Sequence, residues 1–173
     1  PPEVTGCPPA PRKCHGLTDQ ETLYGQRYGD LIVYPEGLRA CEVRSRFIGY
    51  MRRYLDERDY MEVETPVLNT IAGCAAARPF ITHHNTLDID MYMRIATELP
   101  LKRLTVGGFE WVYEIGRIFR NEGMEPKRNP EFTIIQLYEA LADFSDMMDI
   151  AKVILSPPAN DTLGACTVHH TGM

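Results

Sequence analysis

The sequence predicts an α+β fold in which an antiparallel β-sheet is flanked by helices. Residues 109–120 and 131–139 alternate apolar and polar side chains, and a loop over 121–130 joins them, as in an antiparallel hairpin. Residues 38–58 instead repeat apolar side chains at helical spacing. Because strands and helices do not alternate regularly along the chain, an antiparallel sheet is favoured over a parallel one.

Two further elements lie between this helix and the hairpin. Residues 61–65 alternate as a short strand, and Pro66 ends the strand or places it at a sheet edge. Thr97 is a typical N-cap residue for a helix that runs to about Thr105, since its side-chain oxygen accepts backbone hydrogen bonds. Within the hairpin, Trp111 is predicted to pack in the core.

Composition divides the chain into three segments. Residues 1–16 carry five prolines and are interpreted as a linker or tail. Residues 156–173 begin with Ser-Pro-Pro, show no periodicity and are interpreted as an irregular C-terminal tail. Residues 17–155 between them form one predicted domain, whose last helix is capped by Asp143 or Ser145.

Charge and cysteine content exclude several classes of protein. The 173 residues carry a formal net charge of −6, which gives no support for a surface that grips nucleic acid throughout. No apolar run is long enough to span a membrane, and the first residues do not resemble a signal peptide. The five cysteines form an odd, scattered set, which predicts a reducing, cytoplasmic compartment. Their spacing from the histidines does not favour zinc, so no metal-ligating residues are predicted.

The hairpin carries the densest set of chemically useful side chains. Arg120 ends the first strand, while Phe132, Gln136 and Tyr138 lie on one face of the second strand by period-two counting. A guanidinium beside an aromatic ring suits a nucleotide, with the charge on a phosphate and the ring under the base. The same residue types also fit a solvated hairpin with a surface arginine and core rings, and taken alone they favour that second interpretation.

Several short strings, in order and spacing, resemble class II aminoacyl-tRNA synthetases over roughly residues 14–150. Residues 119–122 (Phe-Arg-Asn-Glu) and 129–133 (Asn-Pro-Glu-Phe-Thr) resemble motif 2 of that family. The helix over 38–58 and the strand that ends at Pro66 resemble motif 1. The strings similar to the lysine-specific branch lie at residues 15–19, 76–85 and 101–109.

This resemblance implies a reaction in which the carboxylate of lysine attacks the α-phosphate of ATP, with Mg²⁺ bridging the phosphates. The carboxylate is already an anion, so positioning and charge stabilisation take the place of a general base. The implied catalytic residue is Arg120, on the α-phosphate, and the implied ring under adenine is Phe132. The implied ATP-binding residues are Arg120, Glu122, Arg128, Asn129 and Phe132, of which Arg128 stands where the family usually has histidine.

The resemblance also implies a lysine pocket at Cys74, Glu98, Gln136 and Tyr138. Gln136 replaces a glutamate that pairs with the lysine ammonium, and the lost charge is expected to weaken lysine binding about tenfold to hundredfold. Cys74 replaces a glycine that lets lysine approach the backbone. By itself Glu98 is typical of a first helical turn, where the helix dipole favours a carboxylate, but its distance from Arg120 matches the family.

Assembly follows from the same resemblance. Motif 1 implies a homodimer with Pro66 at the interface, and the implied partners are lysine and the acceptor end of tRNA(Lys). Motif 3 and the anticodon-binding domain have no counterpart, so a truncated catalytic domain is expected, and the lack of an initiator Met fits a fragment or a processed product. Two alternatives stay open: a non-catalytic dimerising module, and a synthetase-like ligase that modifies a translation factor.

Overall fold

The computed structural model describes residues 25–73, 76–123 and 129–163. The chain separates into two compact units, Pro1–Met51 with Ser156–Met173, and Arg52–Leu155, and both β-sheets lie in the second unit. The helices of the described residues are α1 (Arg27–Val33), α2 (Pro35–Asp56), α3 (Glu98–Val106) and α4 (Phe144–Leu163). The strands are β1 (Met61–Glu62), β2 (Leu68–Asn69), β3 (Ile81–His84), β4 (Ile89–Met93), β5 (Trp111–Phe119) and β6 (Glu131–Glu139).

The predicted long helix is present as α2, which begins three residues earlier than expected. Pro35 occupies its first position, where the fixed φ of proline is already helical and its missing N–H costs nothing. At the other end Asp59 adopts a left-handed φ of 61°, and the backbone N–H of Tyr60 donates to the Leu55 carbonyl at 3.1 Å. This closure satisfies one of the helix's last carbonyls, as helix C-termini require. Helix α1 was not predicted.

The predicted hairpin is confirmed, and the sheet around it is mixed. Strands β5 and β6 pair antiparallel over their whole length, from Trp111 opposite Glu139 to Phe119 opposite Glu131. Strand β1 pairs with β5 in the parallel direction, so the prediction of a purely antiparallel sheet is wrong at this edge. Only two of the five predicted residues of β1 form a ladder, and Thr65 reaches β5 instead through its hydroxyl, which donates to the Glu114 side chain.

A second sheet, with strand order β2–β4–β3, was not predicted. Its strands pair antiparallel and are two to five residues long. Strand β3 is exposed along its whole length, so its sequence carries no alternation between apolar and polar residues that would mark it as a strand.

Helix α3 lies within one residue of its predicted position and packs against β5 and β6. Thr97 occupies the predicted N-cap position, yet its side chain makes no hydrogen bond to the helix backbone. The most buried side chains of α3 and β5 are Leu101, Val112, Tyr113 and Ile118, each at most 1 % exposed. The prediction for Trp111 is wrong: this side chain is 38 % exposed at the start of β5, and Tyr113 is the buried ring.

The predicted irregular tail is wrong for residues 156–163, which continue α4 in helical form. Proline inside a helix removes a backbone donor and crowds the carbonyl of the preceding turn, so a local reading of two adjacent prolines does not predict this continuation. Asp143 caps the start of α4, as predicted. Its carboxylate accepts hydrogen bonds from the backbone N–H groups of Ser145 and Asp146 at 2.7 and 3.2 Å. Residues 1–16 and 164–173 lie outside the described residues.

The two sheets are joined by a buried ion pair between Arg94, which follows β4, and Glu114 on β5. The exposed fractions of these side chains are 6 % and 3 %. Arg94 also donates from Nε to the Arg117 carbonyl at 2.8 Å and from an Nη to the Thr65 carbonyl at 3.0 Å. The Thr65 hydroxyl donates to Glu114 at 2.7 Å. A Cβ at Gly116 would overlap the guanidinium, so a larger residue there would have to displace this buried side chain.

No helix in the described part of the chain is both long enough and apolar enough to cross a membrane.

Replacing Arg94 by Met is expected to lower the free energy of unfolding by about 3–5 kcal/mol, because it leaves the Glu114 carboxylate buried and uncompensated. Urea denaturation measures this loss. The matched control is Arg117→Met on the same sheet, since Arg117 pairs with Glu131 and both side chains are half exposed. An exposed pair contributes about 0–1 kcal/mol. Equal losses in the two variants would contradict the role given to Arg94.

Two buried tyrosines predict how stability changes at alkaline pH. Burial, with a hydrogen bond donated to Glu139 at 2.5 Å, raises the pKa of Tyr60. Burial, with a hydrogen bond donated to Asp56 at 2.8 Å, raises the pKa of Tyr113. A raised folded-state pKa contributes stability that is complete below the unfolded pKa of about 10 and is lost as the pH rises above it.

The free energy of unfolding is therefore expected to fall above about pH 10, by up to ~1.4 kcal/mol per pH unit for each of these phenols. Urea denaturation between pH 8 and about 11.5 measures the slope. Tyr60→Phe and Tyr113→Phe are each expected to flatten it. Tyr28→Phe, at a residue that is 58 % exposed, is the control and should leave the slope as it is. If none of the three substitutions alters the slope, the two buried tyrosines are not its cause.

Candidate active site

The structure brings Arg120 and Phe132 together at the open end of the hairpin. Arg120 directly follows β5, and its backbone N–H donates to the Pro130 carbonyl at 2.8 Å. Its guanidinium carbon lies 5.5 Å from the centre of the Phe132 ring, within the range of a cation–π contact. Arg120 Nε also donates to the Ile95 carbonyl at 3.4 Å. A half-buried positive fork therefore stands beside an aromatic face, as the sequence predicted.

The loop of the hairpin carries the other predicted ATP-binding residues. Glu122 and Asn129 are exposed, one on each arm of the loop. The first arm is held where the Asn121 backbone N–H donates to the Arg78 carbonyl at 2.8 Å. Arg128 lies outside the described residues, so its predicted place at the nucleotide stays a prediction.

Helix α3 places a second charged group near the hairpin. Glu98, in the first turn of α3, forms an ion pair with Lys102 one turn later. Both side chains are about half exposed, and the Lys102 ammonium lies 6.0 Å from the centre of the Tyr138 ring. The structure thus brings Glu98 and Tyr138 to the same side of the molecule, with Lys102 between them.

A chain of hydrogen bonds connects α3 to β6. The Thr97 hydroxyl donates to Gln136 Oε1 at 2.8 Å, and Gln136 Nε2 donates to the Tyr138 hydroxyl at 3.2 Å. Burial raises the pKa of Tyr138, and the negative charge of Glu98 adds to the rise. The phenol therefore keeps its proton at neutral pH.

A cavity of about 230 Å³ opens beside the first turn of α3. Its lining includes Glu98 and Gly73 but neither Gln136 nor Tyr138, so the cavity contains only part of the predicted lysine pocket. Gly73 has a φ of 90°, and a Cβ there would lie 3.1 Å from the Ile95 side chain, so the turn requires glycine. Cys74, the next residue, lies outside the described residues.

Two further predictions concern the dimer interface at Pro66 and the absence of metal ligands. Pro66 is exposed in the connection between β1 and β2. Among the described residues, no group of three His, Cys, Asp or Glu side chains is arranged to hold a metal ion.

Sequence reasoning missed the two residues that order this site, Thr97 and Arg94. A threonine before a helix predicts a capping hydroxyl, and nothing local indicates that its hydroxyl turns to a distant strand. Arg94 did give a signal, because it interrupts the apolar stretch Met91–Ile95, and a charge in such a stretch indicates a buried partner.

The hairpin thus carries Arg120 beside Phe132 at its open end, and α3, which carries Glu98, packs against both of its strands. The model of one family, the tRNA synthetases class II (D, K and N), matches residues 19–169. The chain belongs to this family.

Individual relatives show which members of this family the chain resembles. The chain is 55 % identical over 164 residues to a lysine–tRNA ligase of Prochlorococcus marinus (strain MIT 9211), which covers 95 % of this chain and 33 % of that protein. It is 61 % identical over 152 residues to one of Leuconostoc citreum (strain KM20), covering 88 % and 31 %. For one of Bacillus subtilis (strain 168) the identity is 56 % over 162 residues, covering 94 % and 32 %. The chain spans about a third of the length of these relatives.

Proposed function

We propose that this chain forms the part of a lysine–tRNA ligase that binds ATP and the amino acid. The observation that carries the proposal is the guanidinium of Arg120 held 5.5 Å from the Phe132 ring, in a chain of this family. The relatives described above are named for the same activity, which supports lysine and tRNA(Lys) as the substrates.

In the proposed first step, a carboxylate oxygen of the amino acid attacks the α-phosphorus of ATP. A new O–P bond forms, the bond to the bridging oxygen of the β-phosphate breaks, and pyrophosphate leaves. No proton moves at the attacking atom, so the residues supply position and charge rather than a base. Arg120 neutralises the negative charge that develops on the α-phosphoryl oxygens, which a planar guanidinium does with two parallel hydrogen bonds.

The base of the nucleotide is proposed to stack on Phe132, with Glu122, Asn129 and Arg128 around it. Stacking requires one face of the ring to be accessible, and Phe132 is only half-buried. Mg²⁺ would neutralise phosphate charge and would be bound mainly through the nucleotide, because this ion keeps waters and phosphate oxygens as ligands.

The amino acid is proposed to lie between α3 and β6, with Glu98, Gln136 and Tyr138 around it and Cys74 at the adjoining turn. In the proposed second step the ribose hydroxyl at the end of tRNA(Lys) attacks the activated carbonyl, and AMP leaves. We also propose a cytoplasmic protein that dimerises through the α2 and β1 segments with Pro66 at the interface. Sedimentation velocity at micromolar concentration tests the dimer.

One observation favours a second candidate, a dimerising module that has lost catalysis. The carbonyl of Gln136 accepts from Thr97, and the carboxylate of Glu98 is paired with Lys102. A lysine substrate would therefore have to share these two acceptors with Thr97 and Lys102.

The proposed function is tested by lysine-dependent exchange of labelled pyrophosphate into ATP. The 173-residue chain is expected to catalyse exchange, and Arg120→Ala is expected to lower the rate about 10²–10³-fold, because a preorganised donor at the developing charge is lost. Arg117→Ala is the matched control. It removes a half-exposed arginine three residues earlier on the same strand and is expected to keep the rate.

Equal rates in the wild-type chain and Arg120→Ala would remove Arg120 from the reaction. If the chain is folded by circular dichroism and shows no exchange at all, the dimerising module becomes the better account.

A further inference from the structure

Arg78 lies beside the end of β5, next to the candidate nucleotide site. The backbone N–H of Arg120 donates to the Pro130 carbonyl at 2.8 Å, and the following N–H, that of Asn121, donates to the Arg78 carbonyl, also at 2.8 Å. Hydrogen-bonded residues on neighbouring extended segments have Cα atoms about 5–6 Å apart and consecutive residues about 3.8 Å, so the Cα atoms of Arg78 and Arg120 lie within about 10 Å. Arg78 therefore borders the site from a segment outside the hairpin.

The backbone of this segment is held in place on both sides of Arg78. Pro79 follows Arg78 and favours an extended conformation at the residue before it. The Phe80 carbonyl accepts the Met93 N–H at 2.9 Å, which joins the segment to the end of β4, and Asn121 binds the Arg78 carbonyl itself. The side chain of Arg78 therefore starts from a defined position beside the hairpin.

The guanidinium of Arg78 is available to a ligand. Arg78 is exposed, and no described residue forms a hydrogen bond, an ion pair or a ring contact with its side chain. The other arginines near this end of the sheet are engaged, because Arg94 pairs with Glu114 and Arg117 pairs with Glu131. Arg78 is thus an uncompensated positive charge within reach of the site.

The nucleotide proposed for this site requires more positive charge than Arg120 supplies. A guanidinium binds one phosphate through two parallel hydrogen bonds, and Arg120 is proposed to use both on the α-phosphate. Among the described residues proposed at the nucleotide, Phe132 and Asn129 are neutral and Glu122 is negative. The β- and γ-phosphates therefore need a cation from another segment, besides the Mg²⁺ that they carry.

We infer that Arg78 binds the β- and γ-phosphates of ATP and is a second phosphate-binding residue of this site. When the bond between the α-phosphorus and the bridging oxygen breaks, the electron pair of that bond leaves with pyrophosphate. A guanidinium already in place stabilises the added charge without reorganisation. The inference rests on the proposed function, because it requires ATP to lie across Arg120 and Phe132.

The test compares ATP with AMP, which keeps the base, the ribose and the α-phosphate but lacks the β- and γ-phosphates. Isothermal titration calorimetry, at a fixed Mg²⁺ concentration and without lysine, gives the dissociation constants of both nucleotides for the 173-residue chain. Arg78→Ala is expected to weaken ATP binding about 10–100-fold, the size of a charge-assisted hydrogen bond, and to leave AMP binding unchanged. The hydrogen bond from Asn121 remains in this variant, because the backbone carbonyl accepts it.

Three further variants separate this role from that of its neighbours. Arg120→Ala is expected to weaken ATP and AMP alike, since both carry the α-phosphate. Arg117→Ala, which removes a half-exposed arginine on β5, is the matched control and is expected to keep both constants. Arg78→Lys keeps the charge and loses the planar fork, so a smaller loss of ATP binding is expected than in Arg78→Ala. Circular dichroism confirms that each variant is folded.

Two results would overturn the inference while the proposed function stands. One is an ATP dissociation constant that Arg78→Ala leaves unchanged; if tRNA binding weakens in that variant instead, the phosphate that Arg78 meets belongs to the RNA. The other is equal weakening of ATP and AMP in Arg78→Ala, which is what a purely structural arginine predicts. If the folded wild-type chain binds neither nucleotide, the proposed function itself fails, and the inference fails with it.

Discussion

The buried ion pair of Arg94 and Glu114 is the constraint on which the rest of the site depends. Its guanidinium bonds the carbonyl of Thr65 after β1 and that of Arg117 on β5, so one side chain joins three separate segments. Burying two charges costs desolvation energy, which the pair recovers only with good geometry and further hydrogen bonds. Thr65 supplies one of these by donating to Glu114. Such a network specifies one arrangement of the two sheets more than it adds net stability.

The backbone that follows β4 transmits this arrangement to both halves of the site. On the nucleotide side, the Arg94 carbonyl accepts the Phe119 N–H at 3.0 Å, and the Ile95 carbonyl accepts Arg120 Nε. On the amino-acid side, the same segment continues directly into Thr97 and Glu98. One short connection therefore sets both the position of the Arg120 guanidinium and the hydrogen bond that Gln136 accepts from Thr97.

The elements that the sequence predicted are those formed by local patterns. The hairpin and α3 follow from alternation and helical spacing, and the nearness of Arg120 to Phe132 follows from counting residues across the hairpin. The parallel pairing of β1 and the sheet of β2, β3 and β4 depend on contacts between distant segments, which no local pattern contains. The interpretation of residues 156–173 as an irregular tail follows from their prolines and lack of periodicity, yet the helix continues to Leu163, which no local pattern indicates.

The candidate site could be predicted from the sequence about as far as the fold could. Residue types and family resemblance predicted ATP binding at Arg120 and Phe132 and lysine binding at Glu98 and Tyr138, and the structure brings the members of each pair near each other. They also indicated that Gln136 lacks the charge of the family's glutamate, but not the direction in which its amide points. That direction depends on a hydroxyl from another element, and a threonine before a helix has the same sequence signature whether it caps the helix or not.

Amide hydrogen exchange at the end of β5 tests the central role of Arg94 most directly, because neighbouring amides there have different acceptors. Phe119 and Asn121 donate outside the hairpin, to the carbonyls of Arg94 and Arg78, while Arg120 between them donates within it, to Pro130. In the folded Arg94→Met variant, the amides of Phe119 and Asn121 are predicted to exchange faster than in the wild-type chain, and that of Arg120 to keep its protection. Unchanged protection at Phe119 and Asn121, or equal loss at all three amides, would contradict the account.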